Sequence, residues 1–327
     1  MSSFSTVLNC PEVMFQIMLY LSPQDLCSFS RVNFQCFTLC SDKYFWSLKA
    51  QQDLNIEAKY FLPANWNSSS SSGLRRYCQL SVFLNMFKMT YPSNAKGAEQ
   101  ALYDAVLLND DALIFYYLRD VSTVPFSILE EIIRSCRLDL LRYLFSSGHL
   151  SQHPREELFS RLFTYASRAG FSDIINYLST LEFSNPLFYS NHILVGASAG
   201  NSLPLVLQAL SVFMVNYPQS QIKPNLLEAL YEAIMHNHPQ MIEFLLDFIS
   251  RTSFYSLDDI RLYIRNTLDS FDLLIGRRLL PRCSYWKTFT ILLKFDPTLS
   301  QAIDDLRILA MTSGYFNFLK PEETRSV

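Results

Sequence analysis

Gly196-Ala197-Ser198-Ala199-Gly200 is the stretch of this 327-residue chain whose types and spacing come nearest to catalysis. Gly-x-Ser-x-Gly is the pattern of a nucleophile elbow, a tight strand-to-helix turn that exposes the Ser hydroxyl. His192 to Val195 could be the strand before it. Ser198 would attack an acyl carbonyl, with His236 or His238 as base and Glu228 orienting that base. The surroundings oppose this reading. Between Ser198 and the two histidines the acids are Glu228 and Glu232, with no Asp, and no glycine cluster supplies an oxyanion loop. Gly196 and Gly200 also fall on a pattern that recurs elsewhere in the chain and accounts for them without chemistry.

Metal and cofactor chemistry find little to use. The seven cysteines, at 10, 27, 36, 40, 78, 136 and 283, include no Cys-x-x-Cys. Cys36 and Cys40 could share a helix face, but no nearby His completes a zinc set, and His149/His153 and His236/His238 lack matching partners. Neither a metal nor a cofactor is expected. An odd number of thiols among apolar residues implies a reducing compartment and a cytoplasmic location. Only 8 glycines occur, against a usual share of about 7%. With no Gly-x-Gly-x-x-Gly and no Gly-Lys-Ser/Thr, dinucleotide-binding and P-loop readings lose their support.

Charge and hydropathy narrow the partners. The net charge is −3, from 27 basic and 30 acidic residues that are well mixed. No basic face is visible, so no nucleic acid is expected, and Arg75-Arg76 and Arg277-Arg278 read as solvated helix flanks. Apolar stretches such as Leu203 to Val215 fall short of the roughly 18 residues of a membrane span. Met-Ser-Ser-Phe-Ser-Thr lacks the basic and apolar regions of a secretory signal. A soluble protein without a membrane partner is expected.

The elements that would position any site read as all-α. Residues 8–48 form a three-helix unit. Its first helix starts after Pro11, which a first turn tolerates because its missing N–H would be unpaired there, and Val13, Met14, Ile17, Met18 and Leu21 recur at helical spacing. Ser22 can cap the next helix, with Pro23 at its first position. Leu26, Phe29 and Val32 extend the apolar face, and a third helix runs toward Trp46. So small a unit cannot cover all its apolar residues itself.

The run Cys10-Pro11-Glu12-Val13, Ile17, Leu21, Asp25-Leu26, Val32, Leu39, Ser41-Asp42, Trp46 resembles the F-box. It departs from that motif at Asn9-Cys10, where Leu-Pro is usual, and at Cys36. The resemblance implies a helical docking module that inserts into the Skp-type adaptor of a cullin–RING ubiquitin ligase. It also implies that Pro11, Glu12, Ile17, Leu21, Leu26, Phe29, Val32 and Trp46 contact that partner or support the contact. An apolar helix face laid into a groove is an established mode of recognition. Alternatively these residues are ordinary core facing residues 50–90.

Asn67, Ser68 to Ser72 and Gly73 form a low-complexity loop within a helical linker over 51–97. From 98 to 250 a pattern recurs. Its anchors are Asp110, Cys136, Gly170, Gly200 and Asn237, spaced by roughly 32 residues. Four residues earlier lie Val106, Ile132, Ala166, Gly196 and Ala233. Apolar pairs follow at +4 and +5, as in Ile174/Ile175, and a Leu at +8, as in Leu118, Leu144, Leu178 and Leu245. The Gly200 copy is out of register by about a residue. The pattern describes stacked helix pairs with a tight turn at each anchor, and it resembles degenerate ankyrin repeats. No copy carries Thr-Pro-Leu-His. Residues 251–327 read as a closing helical cap in which Ala310 to Gly314 echoes a half repeat, followed by a polar tail. That tail resembles type IV secretion signals of intracellular bacteria.

The expected architecture is therefore an F-box-like module (1–50), a linker (51–97), an ankyrin-like helical solenoid (98–250) and a cap (251–327). The pairing resembles effectors of intracellular bacteria and proteins of large DNA viruses, which would work in the host cytosol. The function it implies is that of a non-enzymatic adaptor that brings a target protein to a ubiquitin ligase. Arg137, Arg168 and His236, near repeat turns, are the candidates for holding the target. The alternatives are an interaction scaffold with no ligase role and, more remotely, the Ser198 hydrolase.

Overall fold

The computed structural model describes residues 11–32, 34–62, 72–181, 186–216, 224–252, 254–276 and 284–315. Among them every regular element is helical and no strand occurs, so the chain is all-α. It divides into two compact units, Met1–Ser135 with Asp139–Gln152, and Cys136–Leu138 with His153–Val327.

The first unit begins with α1 (Pro11–Tyr20), α2 (Pro23–Val32), α3 (Phe34–Ser41) and α4 (Lys43–Leu54). Each start has a local cause. Pro11 and Pro23 occupy first helical positions, and the Ser22 hydroxyl accepts from Asp25 N–H at 3.2 Å while donating to the Asp25 carboxylate at 2.7 Å. Ser22 is thus the side-chain cap of α2, its hydroxyl also tied to the Asp25 carboxylate. Asp42 caps α4 by accepting from Tyr44 N–H. Met14, Met18 and Leu26 are buried between these helices with Phe45 and Trp46. The Trp46 indole donates to Cys40 C=O at 2.6 Å. Lys49 is buried because its ammonium bonds Leu19 C=O and Asp53, each at 2.8 Å.

After α5 (Ala58–Phe61) the long helix α6 (Ser72–Thr90) packs on α4. Gly73 belongs to this helix rather than to a loop, and a Cβ there would sit 2.6 Å from the Trp46 ring. The serines before Ser72 lie outside the described residues. Arg76 corrects the expectation of a solvated basic flank: it is 2% exposed. Its guanidinium donates to both Asp110 oxygens, at 2.7 and 2.6 Å, and to Phe61 C=O at 3.0 Å. A charge survives burial when its donors are met in this way. The other basic pair, Arg277-Arg278, lies outside the described residues.

Helix pairs follow: α7 (Ala95–Leu107) with α8 (Asp111–Leu118), then α9 (Phe126–Arg134) with α10 (Leu138–Ser147). The second unit continues with α11 (Arg155–Arg168) and α12 (Ser172–Thr180), α13 (Pro186–Ala199) and α14 (Leu203–Asn216), α15 (Leu226–Met235) and α16 (Pro239–Arg251). It ends with α17 (Leu257–Gly276), α18 (Trp286–Phe295), a 3₁₀ turn (Pro297–Leu299) and α19 (Ser300–Thr312). Within it α11, α13 and α15 pack in succession, as do α16 and α18.

The turns explain the period. Asn109, Cys136, Gly170, Asn201 and Asn237 all have positive φ, between 52° and 75°. At four of the five the amide of the next residue reaches back five positions, as in Phe171 to Ala166 C=O and His238 to Ala233 C=O, and Tyr315 repeats this after Gly314. This is a left-handed helix cap repeated along the chain. Gly and Asn tolerate it best. Two anchors shift by one residue: Asn109 and Asn201 take the turn rather than Asp110 and Gly200.

Candidate functional site

The first helix presents two faces. Met14 and Met18 point inward, at 2% and 0% exposure, while Val13, Ile17 and Tyr20 are exposed by 40%, 43% and 79%. Their i, i+4, i+7 spacing lines them along one side. The remaining residues expected to meet a partner divide into three groups. Glu12 is exposed and Leu21 is half-buried. Leu26 and Trp46, at 0% and 1% exposure, lie beneath the surface, in the place of support rather than of contact. The side chains of Pro11, Phe29 and Val32 lie outside the described ones. Val13 and Tyr20 were absent from the expected contact set, although their spacing from Ile17 placed them on its ridge.

Behind that ridge the module is held firmly. Trp46 packs edge-on to Phe45, with ring centres 5.3 Å apart, and against Tyr77 of α6 at 5.4 Å. The Tyr77 hydroxyl donates to Asp53 at 2.7 Å. Burial first, and that hydrogen bond next, hold the phenol protonated well above its ordinary range. Cys27 and Cys40 are half-buried. Among the described residues no group of three or more His, Cys, Asp or Glu side chains is placed to share a metal ion.

The residues expected to hold a target are dispersed, with one exception. Arg137 sits beside the Cys136 turn and is half-buried. Arg168 and His236 come together: the guanidinium donates to Nε2 at 3.1 Å. Glu232 lies 3.3 Å from the same nitrogen, and the His238 ring is stacked 6.2 Å away.

Ser198 does not sit on an elbow. It lies within α13, fully buried, and donates to Leu194 C=O at 2.8 Å. His238 contacts Ala199 C=O instead, and His236 is engaged by Arg168. The two flanking glycines allow close helix contact. A Cβ at Gly196 would lie 2.5 Å from Thr164 C=O, and one at Gly200 would lie 2.0 Å from Arg168 C=O. The motif is therefore a packing seam between α11 and α13.

Comparison with known proteins adds one finding: residues 8–48 match the family model of the F-box domain. No curated protein and no solved structure matches the chain. No helix among the described residues is long and apolar enough to cross a membrane.

Proposed function

We propose that the chain is a substrate-recruiting adaptor of a cullin–RING ubiquitin ligase. In this reading α1–α3 dock to a Skp-type adaptor and the later helix pairs, ankyrin-like in pattern, hold a target protein. The protein performs no chemistry of its own and acts by raising the effective concentration of the target near the ligase. One observation carries the reading: the uncovered Val13–Ile17–Tyr20 ridge lies on the segment that matches the F-box domain. An F-box match supports a ligase-adaptor role in general. A ridge of two aliphatic side chains and one aromatic suits a hydrophobic groove on a partner. Covering it would contribute on the order of a few kcal/mol before the entropy of association is subtracted.

The test is co-purification of the full chain with a purified Skp-type adaptor. Ile17→Asp and Tyr20→Asp should each weaken the complex at least about ten-fold while circular dichroism and thermal unfolding stay unchanged. A wild-type chain that fails to co-elute with the adaptor would overturn the reading.

A further inference from the structure

We propose that the chain pairs with a second copy of itself along a groove between α16 and α18 of the second unit. The groove consists of two adjoining cavities, of about 340 and about 520 Å³, which share Gln240, Glu243 and Ile291. Glu243 lines the first together with Lys287 and Thr290, and Asp247 lines the second together with Lys294 and Phe295. The two helices therefore run in the same direction, and each gives the groove one face at i, i+3, i+4, i+7 spacing. Self-association of this kind does not depend on the adaptor reading.

The base of the groove is apolar. Phe244, Ile291 and Phe295 are half-buried there, and Trp286 at its head is 44% exposed. The core needs none of this surface. Ile242, Leu245 and Ile249 of α16 and Phe289 and Leu292 of α18 already close the inner sides of the two helices, all at 2% exposure or less. Two copies laid face to face would form a four-helix arrangement that encloses the groove residues of both. An apolar seam flanked by charged positions is the pattern of such a bundle.

Charge selects the occupant. The wall on α16 is acidic, with Glu243 and Asp247, and the wall on α18 is basic, with Lys287 and Lys294; all four are exposed. An acidic wall disfavours nucleic-acid phosphates and an anionic membrane alike. A polypeptide carrying both signs fits, and this chain carries them at matching heights. A two-fold axis along the groove lays α16 of one copy over α18 of the other in the same direction. Glu243 then comes level with Lys287 of the second copy and Asp247 with Lys294, and the symmetry repeats both pairs. An axis across the groove would instead set acid on acid, so only one pairing is favoured. Asp247 also meets Arg251 of its own helix at 2.8 Å, but those side chains are 54% and 76% exposed. A pair so solvated contributes little and does not compete.

The experiment is sedimentation equilibrium of the full chain at concentrations up to about 100 μM, where a dimer that dissociates on dilution is expected. Reversing one wall, Glu243→Lys with Asp247→Lys, should weaken the dimer at least about ten-fold with unchanged thermal unfolding. Reversing the other, Lys287→Glu with Lys294→Glu, should do the same. Mixing the two reversed chains should restore association, because every facing pair is again opposite in sign. Trp286→Ala should weaken the wild-type dimer about ten-fold even at high salt, where the charges are screened. A wild-type chain that stays monomeric, alone or with a foreign polypeptide seated in the groove, would overturn the proposal. So would a dimer that neither reversal weakens, or reversed chains that do not recombine. None of these residues lies on α1–α3, so Skp-type co-purification of the same variants tests the adaptor reading separately.

Discussion

Arg168 at the end of α11 donates to His236 at the end of α15, Nη2 to Nε2 at 3.1 Å, across 68 residues of sequence. The same nitrogen lies 3.3 Å from the Glu232 carboxylate, so a cation, an imidazole and an anion meet at one point. Two residues chosen only because they flank repeat turns thus form one polar contact along the turn edge of the second unit. A double-mutant cycle with Arg168→Ala and His236→Ala should return a coupling of about 0.5 kcal/mol or less, because both groups are partly solvated. A coupling above about 2 kcal/mol in urea unfolding would contradict that solvation.

The Arg76–Asp110 pair should behave very differently. It is buried and bidentate, and Asp110 also accepts from Ala112 and Leu113 N–H at the start of α8. Arg76→Ala leaves a carboxylate uncompensated and should cost about 3–5 kcal/mol. Asp110→Ala should cost at least as much, since the cap is lost as well. Chemical denaturation of the full chain measures both, and a loss below about 1 kcal/mol would show that solvent reaches the pair.

Gly200→Ala should destabilise the second unit by about 1–3 kcal/mol or more, since the new methyl collides with backbone at Arg168 rather than with a movable side chain. Ser198→Ala should cost about 1 kcal/mol or less, because its hydroxyl bonds only the preceding turn of its own helix. A fluorophosphonate probe should leave Ser198 unlabelled. Labelling would reopen acyl-transfer chemistry.

Stability should fall on mild acidification. Burial lowers the folded-state pKa of His192 below its ordinary 6.5, and burial first, then His236, lowers that of His238. The unfolded chain therefore binds more protons as pH falls from about 6.5 toward the folded values. The stability these neutral rings preserve is complete above pH 6.5 and declines below it. Thermal unfolding between pH 5 and 7 should show this slope, and His192→Gln with His238→Gln should flatten it.

Much of the helical order is legible in the residues. Pro11, Ser22 and Pro23 mark their helix starts, and Gly170 and Asn237 mark turns that close as their types suggest. At Gly200 the same logic misleads. The glycine is there for helix contact, while Asn201 beside it makes the turn, and a sequence pattern cannot separate the two uses of a small residue. Arg76 was illegible for another reason. Its partner lies 34 residues away, and a basic pair in isolation looks solvated. The ridge on α1 was half legible: the period exposes one side, but only packing decides that Met14 and Met18 turn inward while Val13 and Ile17 do not.

The joint between Trp46 and Gly73 sets the mechanical character of the first unit. With an indole wedged against a helix that has no room for a methyl group, and a buried ion pair one turn further along, α6 works as a strut. The exposed ridge on α1 is thereby held at a set distance from the far end of that helix. Lengthening α6 by one turn should therefore move its far end by about 5 Å as a rigid step rather than loosen the unit.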